Sequence, residues 1–246
     1  MDLITTDVLL GELREVIDAR KESRVVQFIN GNKIAQVSTD PEMRQIMSRA
    51  DYVLADGQPL LPMGRMLGIR IPERIDGIGL MGRLLAFASE HGYSVFLLGA
   101  KQSVLDACMA KIVEKHPTIK IAGSRNGYFK AEESGDIAAE IRKTGADILF
   151  LGMGSPMKER FADQFAEATG VPVIQGVGGS FDVIAGCVKR APVWLQRIGL
   201  EWIYRIVQEP RRMFWRYVKT NAQCMWMFMK ALIGVYPRPV VSERVS

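Results

Sequence analysis

The chain has 246 residues, a mass of 27.5 kDa, 48% hydrophobic residues and a formal net charge of +5. That size and apolar content suit one large domain with an appendage and exclude a disordered chain. The charge is uneven: residues 186–246 hold 11 Lys and Arg against 3 Asp and Glu, the first 185 hold 21 against 24, and a basic C-terminal quarter points to an anionic partner such as a membrane surface, phosphate or nucleic acid.

Residues 7–20 show helical spacing of apolar positions and predict a short amphipathic helix. Residues 25–29 form a compact apolar strand that ends at Asn30-Gly31. A helix follows over 32–37, and another begins at Asp40-Pro41, with Asp40 as N-cap and Pro41 at the first helical position. Residues 52–55 read as a buried strand that stops on Asp56-Gly57. Two readings of Asp56 stand open on local sequence. It is a carboxylate presented at a strand tip, where α/β proteins place their chemistry, or it is an ordinary Asp-Gly turn or N-cap. Residues 58–67 predict a helix ended by Gly68.

The stretch 77–82, Gly-Ile-Gly-Leu-Met-Gly, matches the glycine spacing of a dinucleotide-binding turn. No buried strand precedes it and no ribose-binding acid follows a second strand at the required distance, so it reads as the start of a helix over 80–90. Residues 95–99 are the clearest strand, followed by a helix over 102–115, a short strand at 120–123, a loop at 127–129 and a helix over 132–143. A strand at 147–152, a loop at 153–156, a helix over 157–168 and a last strand at 171–174 complete the alternation. This order predicts a Rossmann-like, mostly parallel α/β sheet with helices on both faces. Three strands end in glycine loops, at Gly99, at Gly152 and Gly154, and at Gly176, Gly178 and Gly179. Glycines there let backbone N–H groups approach the phosphates of a nucleotide diphosphate.

The pattern changes from residue 193. Trp194, Leu195, Ile198, Trp202, Ile203, Ile206 and Val207 fall at helical spacing, and all four tryptophans lie between residues 194 and 226. Arg211, Arg212 and Arg216 precede the Met-rich run 224–229. The longest uncharged stretch near the end, 220–229, is half of the ~20 residues a spanning helix needs. Aromatic and arginine content of this kind suits a helical appendage lying on a membrane surface. The Met/Trp/Phe cluster lacks interleaved Lys and Arg, which disfavours nucleic acid. The division expected is a catalytic domain over 1–190 and an amphipathic helical appendage over 191–246.

Cys108, Cys187 and Cys224 are widely spaced and odd in number, so they form neither a disulfide framework nor a zinc pattern. The beginning of the chain shows no basic and apolar signal segment. His91 and His116 sit in charged helical surroundings and read as surface residues. No metalloprotease, nucleophile-elbow or P-loop motif occurs, and no Asp-x-Asp pair is present to hold a divalent metal. No cofactor or metal is expected, so charge on a leaving group falls to Arg, Lys and backbone N–H groups.

Taken together, several blocks resemble one family. They are Ala55-Asp56-Gly57, Glu73-Arg74 with Gly77, Gly127-Tyr128-Phe129, and Gly152-Met-Gly-Ser-Pro156 with Glu159. The block from Gly176-Val-Gly-Gly-Ser-Phe-Asp182 through Lys189-Arg-Ala-Pro192, Leu200-Glu-Trp202 and Glu209-Pro-Arg211 follows. Together they resemble the WecG/TagA/CpsF family of bacterial glycosyltransferases over about residues 25–216. The resemblance implies transfer of a hexose-type sugar from a UDP-sugar to a saccharide on a polyprenyl-diphosphate carrier, with inversion and without a metal. It implies a cytoplasmic protein peripheral on the inner face of the membrane, in surface polysaccharide or teichoic-acid synthesis. By matched position, Asp56 is the general base and Arg74 its catalytic neighbour. Asn30, Gly152, Gly154, Lys158, Gly176, Gly178, Gly179 and Asp182 bind the donor nucleotide. Arg205, Arg211, Arg212 and Arg216 face the lipid diphosphate. Two positions depart from the family pattern: Lys158 stands where a polar amide is usual, and Phe28 stands where some members carry Thr. A homo-oligomer is left open. Two rivals are an NAD(P)-binding oxidoreductase using residues 77–82, which would bind NAD(P) and not UDP, and a non-catalytic membrane adaptor, which would release no UDP.

Overall fold

The computed structural model describes residues 1–197, 200–208, 210–235 and 242–243. The elements run β1 (Asp2–Leu3), α1 (Thr6–Ala19), β2 (Arg24–Ile29), α2 (Gly31–Thr39), α3 (Pro41–Arg49), β3 (Tyr52–Ala55) and α4 (Leu60–Met66). They continue with α5 (Gly77–His91), β4 (Ser94–Gly99), α6 (Gln102–Lys115), β5 (Lys120–Arg125), α7 (Ser134–Thr144), β6 (Ile148–Gly152), α8 (Met157–Thr169), β7 (Val173–Gly176) and α9 (Ser180–Ile184). The C-terminal quarter holds α10 (Val193–Arg197), α11 (Glu201–Gln208), α12 (Pro210–Leu232) and β8 (Ser242–Glu243).

The main sheet has six strands in the order β3-β2-β7-β6-β4-β5, and every pair is parallel. Alternate strand residues serve opposite faces. Val95 and Leu97 join Leu9, Leu13, Leu84, Leu105 and Phe181 in one core, which α1, α5 and α6 cover. Phe96 and Leu98 join Ile137, Ile141 and Phe161 in the other, under α7 and α8. The expected two-faced α/β architecture is therefore present. Because every strand of the sheet points the same way, all six C-terminal ends open on one edge, where α/β folds bind ligands.

Two details differ from the sequence reading. The strand expected at 171–174 spans Val173–Gly176 instead. Pro172 lacks the N–H a ladder needs, so it stays outside and offers its carbonyl to Arg24 N at 2.7 Å. That strand is also not the last, since β1 and β8 form a separate parallel pair. Two-residue strands carry no periodicity to read. Asp2 of β1 also accepts from Val53 N at 2.7 Å, tying the N-terminus to β3.

The long C-terminal helix α12 packs back on α2. Gln223 of α12 donates to Ala35 O at 3.3 Å and to Ser38 Oγ at 3.0 Å on α2. Gly31 at the start of α2 leaves room for Cys224: a Cβ there would lie 3.6 Å from its Sγ. No helix among the described residues is long and apolar enough to cross a membrane.

Candidate active site

The register of β2 and β3 sets the site. Ile29 lies beside Ala55, and Asp56 N donates to Ile29 O at 3.0 Å. The next residues, Asn30 and Asp56, are therefore neighbours just past the ladder. Asn30 caps α2, its Oδ1 accepting from Lys33 N at 3.1 Å, and its Nδ2 donates to Asp56 Oδ2 at 3.2 Å. The cap fixes which end of the amide faces Asp56. Asp56 itself caps no helix, because the α4 cap position is Pro59, without a side-chain hydrogen bond. Of the two readings left open by the sequence, the geometry favours a presented carboxylate.

Arg74 locks the strand tip from the other side. Its guanidinium donates to Asp56 O at 3.1 Å and to Asp76 Oδ2 at 3.2 Å. Asp76 caps α5 through Gly79 N at 2.8 Å and also receives Arg190 at 2.8 Å. Arg190 Nε in turn stands 3.8 Å from Glu201 Oε1 of α11. This chain of charges runs from the sheet edge to the C-terminal helices. It also accounts for residues 77–82. The α5 N-terminus, where a dinucleotide fold seats its pyrophosphate, holds the Asp76 carboxylate, and no strand leads into it.

These residues line a cavity of about 690 Å³. Asn30, Asp56, Arg74 and Gly179 meet there, joined by Asp76, Arg190, Gln196, Glu201 and Asn221. Burial raises the Asp56 pKa above the ordinary carboxylate range. The nearby Asp76 and Glu201 carboxylates add to the rise, and Asn30 and Arg74 oppose it. A carboxyl raised in this way is suited to taking a proton near neutral pH. Three carboxylates (Asp56, Asp76, Glu201) face two guanidiniums (Arg74, Arg190) among the described lining residues.

The other sequence-derived donor residues lie off this cavity. Gly152 and Gly154, Gly176 and Gly178, Lys158 and Asp182 are not in its walls. Gly152 is a packing position, where a Cβ would sit 2.4 Å from the Phe181 ring. Lys158 is drawn onto Glu159 behind the β7 turn. Glu159, fully buried, also takes Lys33 at 2.6 Å, and Lys33 reaches Ser155 Oγ at 2.7 Å. Burial pushes the Glu159 pKa up, but two ammonium groups more than offset it and hold it below the usual range. Arg205 lies on α11 and Arg211, Arg212 and Arg216 on α12, with their side chains outside what the structure describes. Among the described residues, no three His, Cys, Asp or Glu side chains gather in a way suited to a metal ion. Cys108 is buried with its thiol pushed up to about 12 by desolvation, which leaves it inert.

A profile of the Glycosyl transferase WecG/TagA/CpsF family matches residues 1–237. The chain belongs to this family. A relative from Bacillus subtilis (strain 168), N-acetylglucosaminyldiphosphoundecaprenol N-acetyl-beta-D-mannosaminyltransferase, is 33% identical over 193 residues, which cover 78% of this chain and 75% of the relative. The protein is thus a glycosyltransferase of the WecG/TagA/CpsF type. The sequence points to Asp56, Asn30 and Arg74 but to no role for Asp76, Arg190 or Glu201. All three lie in or beside quoted family blocks, and only the fold shows that they converge.

Proposed function

We propose that this glycosyltransferase moves a hexose-type sugar from a UDP-sugar to a saccharide on a polyprenyl-diphosphate carrier, with inversion, in cell-envelope polysaccharide synthesis. The relative's name makes N-acetylmannosamine the first sugar to test and N-acetylglucosaminyl-diphosphoundecaprenol the first acceptor. The observation that carries the reading is the meeting of Asp56, Asn30 and Arg74 in one cavity at the C-terminal sheet edge of a chain of this family.

In this reading an Asp56 oxygen takes the proton of the acceptor hydroxyl as that oxygen attacks the anomeric carbon. The bond from that carbon to the β-phosphate oxygen breaks on the opposite face, and its electron pair leaves with UDP. A single displacement of this kind turns an α-linked donor into a β-linked product. Asn30 holds the base by one hydrogen bond, and Arg74 stands to meet the charge on the leaving diphosphate. The cavity's described charges sum to one negative, so diphosphate binding calls for more positive charge. The basic C-terminal quarter supplies it, through Arg205, Arg211, Arg212 and Arg216 gripping phosphate oxygens.

The domain division enters the same reading. Residues 1–190 carry the base and the donor site, and 191–246 dock on the inner face of the membrane. Trp194, Trp215 and Trp226 are each more than 60% exposed, as are Val207, Ile233 and Val235. Exposed apolar side chains gathered in one quarter mark an interaction surface, and tryptophan favours the bilayer interface.

The test is UDP release from a panel of UDP-sugars in the presence of a polyprenyl-diphosphate N-acetylglucosamine acceptor. Release that requires both substrates, with a β-linked product, supports the reading; no release from any donor overturns it.

A further inference from the structure

A second hollow of about 520 Å³ adjoins the Asp56 cavity and shares Leu60, Met63 and Cys224 with it. Ile34 and Val37 of α2, Leu67 and Ile71 beyond α4, and Met227 and Phe228 of α12 form its walls. Apart from the Cys224 thiol, its polar side chains are Ser38 and Arg44. Both are already engaged: Arg44 donates to Val37 O at 3.2 Å and Ser38 O at 3.1 Å, and Ser38 Oγ donates to Ala35 O at 2.7 Å. The Met1 amino terminus also lies in its lining, so the hollow is predominantly but not wholly apolar, and its size falls in the ~300–1,000 Å³ range of sites that enclose a ligand.

Two observations say what fills it. The first is continuity: an occupant reaching through the shared wall has its head at Asp56 and its tail among apolar side chains. The second is α12, which carries apolar side chains both toward the hollow and away from it. Phe228 points into the hollow and is 8% exposed, while Trp226 within the helix and Ile233 just beyond its end stand 62% and 70% exposed. Here one side lines a groove and the other faces outward beside a strongly basic segment, the arrangement of a helix lying in a membrane interface.

We propose that the groove between α2, α4 and α12 receives the first isoprene units of the acceptor's polyprenyl chain. Drawing them out of the bilayer brings the diphosphate-linked sugar to Asp56. The inference rests on the proposed lipid-linked acceptor and adds where its chain lies.

The test uses the full chain, two substitutions that fill the groove away from the reacting cavity, Ala231→Phe and Ile71→Phe, and two acceptors. One acceptor is undecaprenyl-diphosphate N-acetylglucosamine in phospholipid vesicles, and the other is a water-soluble methyl-diphosphate N-acetylglucosamine. Each variant is expected to raise KM for the polyprenyl acceptor tenfold or more. KM for the UDP-sugar, turnover of the methyl acceptor and cosedimentation with acceptor-free vesicles stay at wild-type values, which also shows that the variant is folded. Equal losses on both acceptors, or no change on either, overturn the assignment. Loss of vesicle binding makes the groove part of the membrane anchor, and a fall in oligomeric state makes it a contact between copies; both also overturn it. Wild-type protein that uses neither acceptor overturns the functional reading itself, and the groove assignment with it.

Discussion

At the β4–β6 end of the sheet edge, Gly99 and Gly152 lie side by side, and a Cβ on Gly99 would stand 2.4 Å from the Gly152 carbonyl carbon. Gly127 folds over them, with room for a Cβ only 2.9 Å from Gly99 Cα. At the β3–β2–β7 end the strands stop on Asp56, Asn30 and Gly176, and the space beyond is a cavity. Gly179 in its wall has no neighbour closer than 4.0 Å to a built Cβ. Both ends look alike in sequence, as strands running into glycine. The first set admits the chain's own backbone and the Phe181 ring; at the second, Gly179 borders the cavity, while a Cβ on Gly176 would lie 3.2 Å from Gln27 Oε1. A glycine at a strand end signals close approach without saying of what, and the polar side chains beside it tell the two ends apart.

The strongest way to break this comparison is Asp56→Asn at the open end. Loss of a general base is expected to cut turnover on the lipid-linked acceptor by ~10²–10⁴-fold while UDP-sugar affinity holds. Single-turnover UDP release checks it, and near-normal turnover removes Asp56 from the role.

Glu159 joins the two ends. It sits in α8 after the β6 loop and holds Lys33 of α2, whose ammonium also binds Ser155. Replacing it by Gln leaves Lys33 and Lys158 facing each other without a counter-charge. Breaking one member of a buried ion cluster costs ~3–5 kcal/mol, read as a lower urea midpoint. Because its folded pKa is depressed, the wild-type contribution is present above the ordinary carboxylate range and is lost as pH falls through the lowered value. The gap between wild type and Glu159→Gln should therefore close in acid. A gap that is constant with pH would mean that packing, not charge, sets the loss.

The two glycine sets give the next contrast. Gly152→Ala forces a methyl into the Phe181 ring and is expected to cost ~1–3 kcal/mol, as overpacking does. Gly179→Ala meets nothing and has ordinary backbone torsion, φ −78°, so its stability should change by less than ~1 kcal/mol. The reading of Gly179 as a donor-site residue predicts that its effect falls on KM for the UDP-sugar. Equal denaturant midpoints for the two variants would dissolve the distinction between the ends.

The alternation of strands and helices was legible because each strand is a short apolar run and most helices carry a cap or a terminating glycine: Asp40 before α3, Gly68 after α4, Gly92 after α5. Asp56 was legible as a carboxylate at a strand tip, but its surroundings were not. They include a residue 26 positions earlier, Asn30, which only the β2–β3 register brings within reach. Lys158 shows a further limit. Its place after a glycine loop suggests a ligand contact, and its bond to the buried Glu159 next to it is invisible to a local reading. Arg190 and Glu201 belong to segments more than 100 residues from Asp76 and Arg74, and no spacing rule connects them. The groove beside the site was hidden too, since its walls combine α2, α4 and α12, each of which reads alone as an ordinary amphipathic helix.

Asp56→Asn also sharpens the comparison through its smallest effect. In the wild type, burial raises the folded pKa of Asp56, so the native state holds this proton more tightly than the unfolded chain, whose Asp titrates near ~3.9. Stability attributable to the group is therefore lost as pH rises from that value through the raised one, and the deficit is constant above it. Asparagine carries no such cost. The variant should melt above the wild type at neutral pH, by about 2–4 °C for each kcal/mol recovered in a chain of this size, and the two should converge in acid. The same raised pKa should appear as the acid limb of wild-type kcat/KM, because only the ionised carboxylate accepts a proton. Glu159→Gln moves in the opposite sense on both counts: its Tm deficit shrinks toward acid, and the position of the acid limb of kcat/KM holds. If Asp56→Asn melts below the wild type at neutral pH, the ionised carboxylate is stabilised by its neighbours and the open end is built for structure, as the filled end is.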